Sequence, residues 1–195
     1  MAGPVSQKRV IITVSGIVQG VGFRPFVFRC ATKNHLRGLV YNNTNGVLID
    51  VEGEEEDIRQ FEKDLLKNPP PLAVIDAVDV KEQPLAGYNK FAIRHSLDEG
   101  RGFIPVSPDM ATCSDCLREM RDPKDRRFHY PFINCTNCGP RFTVIEDIPY
   151  DRPRTSMKIF PMCRWCEEEY TDPYDRRFHA QPVACPECGP GIAFI

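Results

Sequence analysis

Three things are missing from this sequence of 195 residues. It has no run of 18 apolar residues, so no helical span of a bilayer is on offer. The opening MAGPVSQKR carries no apolar h-region, so no secretory leader is expected. Neither sign of charge dominates: 25 Lys plus Arg stand against 27 Asp plus Glu, a formal net charge of -2. That balance argues against a protein that grips nucleic-acid phosphates by bulk charge. Wholesale disorder is excluded by 42% hydrophobic and 10% aromatic content, enough for packed cores. The expected location is cytoplasmic, where thiols stay reduced.

Cysteine is what the chain has in plenty. Nine occur, at positions 30, 113, 116, 135, 138, 163, 166, 185 and 188. In a reducing compartment such a set needs an explanation other than disulfides. All but Cys30 lie from Cys113 onward, so the chain divides into two regions of different chemistry.

The first region runs to about residue 97. Val10, Ile12 and Val14 alternate with Ile11, Thr13 and Ser15, the pattern of a strand. A glycine-bearing loop follows from Gly16 to Gly22. Pro25 suits a helix's first turn, and Phe26, Val27, Cys30 and Ala31 form a helical stripe. Residues 38–42 and 47–52 read as two strands joined by Asn43-Thr44-Asn45-Gly46. Glu54-Glu55-Glu56-Asp57 suits a helix N-terminus, with Ile58, Phe61 and Leu65 on the buried face and Pro69-Pro70-Pro71 ending it. The acidic run over 52–57 is expected to be a solvated helix start. Residues 73–82 and 91–94 complete the strands. This order predicts an α+β fold, the ferredoxin-like split βαβ, with an antiparallel sheet and both helices on one face. Residues 98–108, flanked or filled by Gly100, Gly102, Pro105 and Pro108, are expected to be a linker.

The second region is duplicated. Asp122-Pro123-Lys124-Asp125-Arg126-Arg127-Phe128-His129 recurs as Asp172-Pro173-Tyr174-Asp175-Arg176-Arg177-Phe178-His179. The cysteines repeat at the same offset of 50, as does Cys-Gly-Pro at 138–140 and 188–190. A tandem of two small modules follows, over 109–145 and 146–195. The second copy stops soon after its Gly-Pro, which leads one to expect an excised part of a longer protein.

Each copy reads C-x2-C-x18-C-x2-C. Two such knuckles supply four soft ligands in a tetrahedron, which suits zinc. The expected ligands are Cys113, Cys116, Cys135 and Cys138 in one copy, and Cys163, Cys166, Cys185 and Cys188 in the other. Four thiolates leave no open position, so both zinc ions are expected to be structural and to supply much of each module's folding free energy. An iron-sulfur cluster is the chemical alternative. Closure within each copy is shorter than exchange of knuckles between copies, and is the expected arrangement. His129 and His179 sit between knuckles that are already complete, so packing or hydrogen bonding is expected of them. The pairs Arg126-Arg127 and Arg176-Arg177 could contact an anion or RNA. The adjacent Asp125 and Asp175 offset their charge, which favours carbonyl and thiolate neighbours. Cys30, on an apolar stripe, is expected to be a buried structural thiol.

Gly16-Ile17-Val18-Gln19-Gly20-Val21-Gly22-Phe23-Arg24 lies between a strand and a helix. Small residues there let successive N–H groups converge on an anion, aided by the helix N-terminus. Arg24 adds a cation whose fork matches phosphate oxygens. On its own this loop could equally be a close strand-helix turn with a surface arginine.

The loop belongs to a longer pattern. Val14-x-Gly16-x-Val18-Gln19-Gly20-Val21-x-Phe23-Arg24 resembles the signature of the acylphosphatase family. That family's second motif, G-x-x-x-N-x-x-x-G, is similar to Gly38 through Asn42 to Gly46. The likeness covers residues 8–95, within a first domain expected over 8–97. Leu39 stands where the family usually has an aromatic, and Gly53 comes one residue early. The resemblance implies that Arg24 and the loop amides of Gln19, Gly20, Val21, Gly22 and Phe23 hold the phosphoryl group of an acyl phosphate. It also implies that Asn42 orients the attacking water, with no cofactor needed for the hydrolysis. Only Asn42, and not Asn43, keeps the four-residue offset from Gly38.

An acylphosphatase-like domain followed by two modules with D-P-x-D-R-R-F-H and C-x-x-C-G-P resembles the N-terminal part of the hydrogenase-maturation carbamoyltransferases, the HypF family. That resemblance implies carbamoyl phosphate as the acyl phosphate, hydrolysed to carbamate and phosphate. In that family later domains, resembling the YrdC nucleotide-binding fold and a carbamoyl-transfer fold, activate carbamate with ATP. They pass it to the C-terminal cysteine of a HypE-type partner, for cyanide-ligand synthesis in nickel-iron hydrogenase. Those domains are absent from these residues, so neither adenylation nor transfer is expected here. The competing expectation is a tandem zinc-ribbon module that binds protein or RNA beside an idle ferredoxin-like domain.

Overall fold

The computed structural model describes residues 6–96 and 109–193. The linker expected over 98–108 lies outside the described residues. The first region forms β1 (Gln7–Ile17), α1 (Phe23–Lys33), β2 (Arg37–Asn43), β3 (Gly46–Glu54), α2 (Glu55–Lys67), β4 (Val74–Gln83) and β5 (Phe91–Ile93). The sheet order is β4-β1-β3-β2-β5. The first four strands in that order pair antiparallel, which is the ferredoxin-like arrangement expected.

The fifth strand departs from expectation. β5 pairs parallel with β2, so the sheet is mixed. The reason is the path of the chain: β4 runs opposite to β2, and the segment after it crosses to the far edge before re-entering. Three polar residues hold that crossing on the sheet face away from the helices. Glu52 accepts from the amides of Ala86 (2.6 Å) and Gly87 (3.0 Å). Asp50 accepts from the Tyr88 hydroxyl at 2.8 Å and from Arg9. Arg9 also reaches the Pro84 carbonyl at 2.9 Å. Asp50 and Glu52 share a face because the strand period is two. The acidic run therefore splits: Glu55, Glu56 and Asp57 occupy the first turn of α2, while Glu52 is buried, contrary to the expectation of a solvated run.

The other face makes the core. Val10, Ile12 and Val14 of β1, Val40 of β2, and Val47, Ile49 and Val51 of β3 pack against Val27 and Ala31 of α1 and Ile58, Phe61 and Leu65 of α2. Each Val, Ile, Leu or Phe among these contributes about 1.5–3 kcal/mol when fully buried.

In the second region α3 (Ser114–Arg121) and α4 (Arg164–Thr171) each start just after the first cysteine of their finger. The two copies cross-brace. Arg127 of the first copy donates to Glu169 at 2.9 Å and to the Ala184 carbonyl at 2.8 Å, both in the second. Fifty residues on, Arg177 donates to Glu119 and to the Asn134 carbonyl, both in the first. Thiolate contacts cross in the same way. Arg126 lies 3.3 Å from the sulfur of Cys166, and Arg176 lies 3.2 Å from that of Cys116. The carbonyl and thiolate neighbours foreseen for the arginine pairs are present, but they belong to the opposite copy. The second finger then docks on the first region, with the Phe178 ring edge-on to Phe28 of α1 at 5.5 Å. Its counterpart Phe128 is exposed and stacks on its own neighbour His129.

Candidate active site and metal centres

The loop between β1 and α1 turns on two glycines. Gly20 and Gly22 take left-handed φ values of 72° and 78°, which glycine adopts without strain. Among the described residues, the backbone N–H groups from Gln19 to Arg24 donate to no protein acceptor. Free amides in such a run, at the N-terminus of an 11-residue helix, are what an anion binds. The side chains of Val21 and Phe23 are in the core, so these residues offer the site only their backbone.

Gln19 also has its side chain engaged elsewhere. Its Nε2 donates to the carbonyls of Asn43 (2.9 Å) and Gly46 (2.8 Å), pinning the loop to the β2–β3 hairpin. Its Oε1 accepts from the amide of Tyr150 at 3.1 Å.

Arg24 and Asn42 are each held by one of two adjacent residues of the segment joining the fingers. Arg24 Nη2 donates to Asp151 Oδ1 at 2.8 Å. Asn42 Nδ2 makes a long hydrogen bond of 3.4 Å to the Tyr150 carbonyl. Arg24 is 6% exposed and makes no other hydrogen bond among the described residues. Asn42 is 0% exposed, and its Oδ1 has no partner. A buried acceptor left open in this way calls for a donor such as water.

The fingers close over this loop. A Cβ on Gly20 would meet Pro140 at 2.8 Å and the Tyr150 ring at 3.0 Å, and one on Gly22 would meet Thr136 at 2.9 Å. A small cavity is left, lined on one side by Gly20, Gly22 and Arg24 and on the other by Thr136, His179 and Gln181. Burial, together with the positive charge of Arg24, pushes the His179 imidazole down to about 4, so it is neutral at pH 7. Asp151, Tyr150 and Thr136 were not legible in the sequence. They carry no motif, and only the docking of the fingers brings them to the loop.

Each cysteine quartet gathers within its own copy, with the four sulfurs within 4.8 Å of one another. Separations of 3.6 Å (Cys113–Cys135), 3.9 Å (Cys135–Cys138) and 3.7 Å (Cys163–Cys185) are far beyond a disulfide bond. They match the edge of about 3.8 Å of a tetrahedron with metal–sulfur bonds of about 2.3 Å. The donor set therefore fits one tetrahedral ion per finger. Cys30 lies apart, packed on the core, and burial pushes its thiol up to about 11.

The comparisons follow this division. Residues 10–93 match the acylphosphatase family, and residues 112–145 and 162–195 match the HypF finger. Over 150 residues the chain is 54% identical to a probable carbamoyltransferase HypF of Methanocaldococcus jannaschii, covering 75% of this chain and 19% of that protein. The chain belongs to the HypF family. A crystal structure of full-length HypF in a phosphate- and nucleotide-bound form superposes with a TM-score of 0.95 at 59% identity, covering all of this chain and 26% of that one. An acylphosphatase of Thermotoga maritima is 43% identical over 89 residues, 45% of this chain and 98% of that protein. The chain thus spans about a fifth of the length of the curated HypF relatives it matches. No described helix is long and apolar enough to cross a membrane.

Proposed function

We propose that this chain hydrolyses an acyl phosphate, and that the substrate is carbamoyl phosphate. The observation that carries the reading is the run of free amides from Gln19 to Arg24 beside a buried guanidinium with open donors. The amides and Arg24 bind the phosphoryl oxygens, and their fixed dipoles stabilise charge as it develops there. The open Oδ1 of Asn42 accepts a hydrogen bond from the attacking water. Water oxygen bonds to phosphorus as the bond from phosphorus to the carbamoyl oxygen breaks. The products are carbamate, phosphate and a proton released to solvent. The leaving group is already good, so positioning and charge stabilisation suffice without a strong base.

The eight finger cysteines hold two zinc ions with a structural role, since four thiolates leave no site for water on the metal. Within longer HypF proteins the carbamate is handed on for ATP-dependent activation and transfer to a HypE-type partner. RNA recognition by the fingers is disfavoured because their arginine pairs face Glu119, Glu169 and the opposite finger's thiolates.

Phosphate release from carbamoyl phosphate by the wild-type chain, Arg24→Ala and Asn42→Ala tests the reading. Both variants are expected to lose at least about a hundredfold in rate. Equal rates in wild type and Arg24→Ala would remove it.

A further inference from the structure

We propose that Asp151 is the positioning residue for Arg24, so that the finger half of the chain completes the hydrolytic site. This rests on the acyl-phosphate reading above and extends it to a residue outside the acylphosphatase domain.

Arginine is a long side chain with many rotamers, and a phosphate arm works only if its fork is held in one orientation. The first domain supplies no partner that does so, since the only hydrogen bond of Arg24 among the described residues goes to Asp151. The Asp151 carboxylate is itself held at both ends. Oδ1 accepts from Arg24, and Oδ2 accepts from the Ser96 amide at 3.0 Å.

The neighbouring backbone is clamped as well. The Tyr150 amide is held by Gln19 of the loop. The Arg152 amide donates to Gln181 Oε1 at 2.8 Å. The Arg152 guanidinium donates to the carbonyls of Gln181 (2.7 Å), Val183 (2.9 Å) and Phe160 (2.6 Å). Asp151 therefore sits on a strap fixed to the loop on one side and to the second finger on the other.

The charges agree with this role. Burial raises the Asp151 carboxyl, but Arg24 and Ser96 outweigh it and hold it below the usual carboxylate range, so it stands as a carboxylate. The neighbouring His179 is neutral and does not compete for the carboxylate. One of the guanidinium's five N–H donors is committed, and the rest remain for a phosphoryl group in the adjoining cavity. The Thermotoga acylphosphatase matches this chain over 89 residues along 98% of its own length, so it has no segment corresponding to the strap.

The test measures kcat and KM for carbamoyl phosphate separately in the full chain, with melting temperatures for each variant. Asp151→Ala is expected to lower kcat about ten- to a hundredfold while KM changes only a few-fold. Asp151→Asn keeps an oxygen that accepts from Nη2 and is expected to recover most of kcat. An unchanged kcat in Asp151→Ala overturns the proposal. So does a rise in kcat/KM, which would make the carboxylate a competitor of substrate for Arg24. A loss in which Asn is no better than Ala, with an equal fall in melting temperature, also overturns it by making the role merely structural. Arg24→Ala is the separate control: if it turns over like wild type, the hydrolytic reading itself fails, whatever Asp151 does.

Discussion

Arg127 and Glu169 form an ion pair between the two fingers, and neither finger contains both halves of it. The Arg127 side chain is 2% exposed, and its Nε is tied to the Ala184 carbonyl next to Cys185. Removing the guanidinium leaves Glu169 paired with Arg126 and Arg177 but strips the buried Ala184 carbonyl of its donor, a loss of about 1–3 kcal/mol. Urea unfolding of Arg127→Ala, followed by fluorescence of Trp165 on α4, is expected to show that loss. Removing Glu169 as well should cost less than the two single changes added together. Strict additivity would mean that the pair is not coupled.

The pairing also bears on the metals. Because each finger braces the thiolate of the other, the two ions are expected to act as one cooperative unit. Elemental analysis should find two zinc per chain. A strong chelator should unfold residues 109–193 in a single step and leave the β1–β5 domain folded. Iron in place of zinc, or a finger that survives alone after Cys135→Ala, would contradict this.

The offset of 50 shows that the two copies are alike but not which faces meet. That is where local reading stopped. The alternation of Val10, Ile12 and Val14 foretold a strand with one buried face, and all three are in the core. Ile58, Phe61 and Leu65 likewise proved to be the inner face of α2. Both depend on period alone. The parallel docking of β5, the burial of Glu52 and the arrival of Asp151 at Arg24 depend on contacts between distant segments. The Arg24–Asp151 pair joins residues 127 positions apart. No periodicity encodes such a pairing, because it is fixed by how finished units pack. In the candidate site, the loop and Asn42 were singled out through the resemblance of their two motifs to the acylphosphatase family. The strap that covers them follows no repeat.

Gly20 gives a direct check on that cover. Its φ of 72° disfavours a side chain, and a Cβ there would collide with Pro140 and Tyr150. Gly20→Ala is expected to destabilise the chain by about 1–2 kcal/mol through backbone strain alone. It should also push the strap off the loop, so carbamoyl phosphate turnover should fall by more than the melting temperature predicts. If turnover is unaffected, the strap is not in contact with the working site.

His179 gives the pH dependence. Its folded-state value of about 4 lies below the ordinary 6.5, because burial and Arg24 disfavour the imidazolium. Between these two values the unfolded chain takes up a proton that the folded chain refuses. Stability therefore falls as pH drops from about 6.5 toward 4, and this group contributes no loss above that window. The groups that act on it are Arg24, Asp151 and, near the end of the first domain, His95. Other groups also titrate on acidification, so the informative quantity is a difference. Between pH 7.5 and 5.5 the melting temperature of the wild type should fall further than that of His179→Gln, because only the wild type carries this penalty. Curves that stay parallel across that range would show that His179 takes up its proton in the folded chain, and that the finger does not bury it against Arg24.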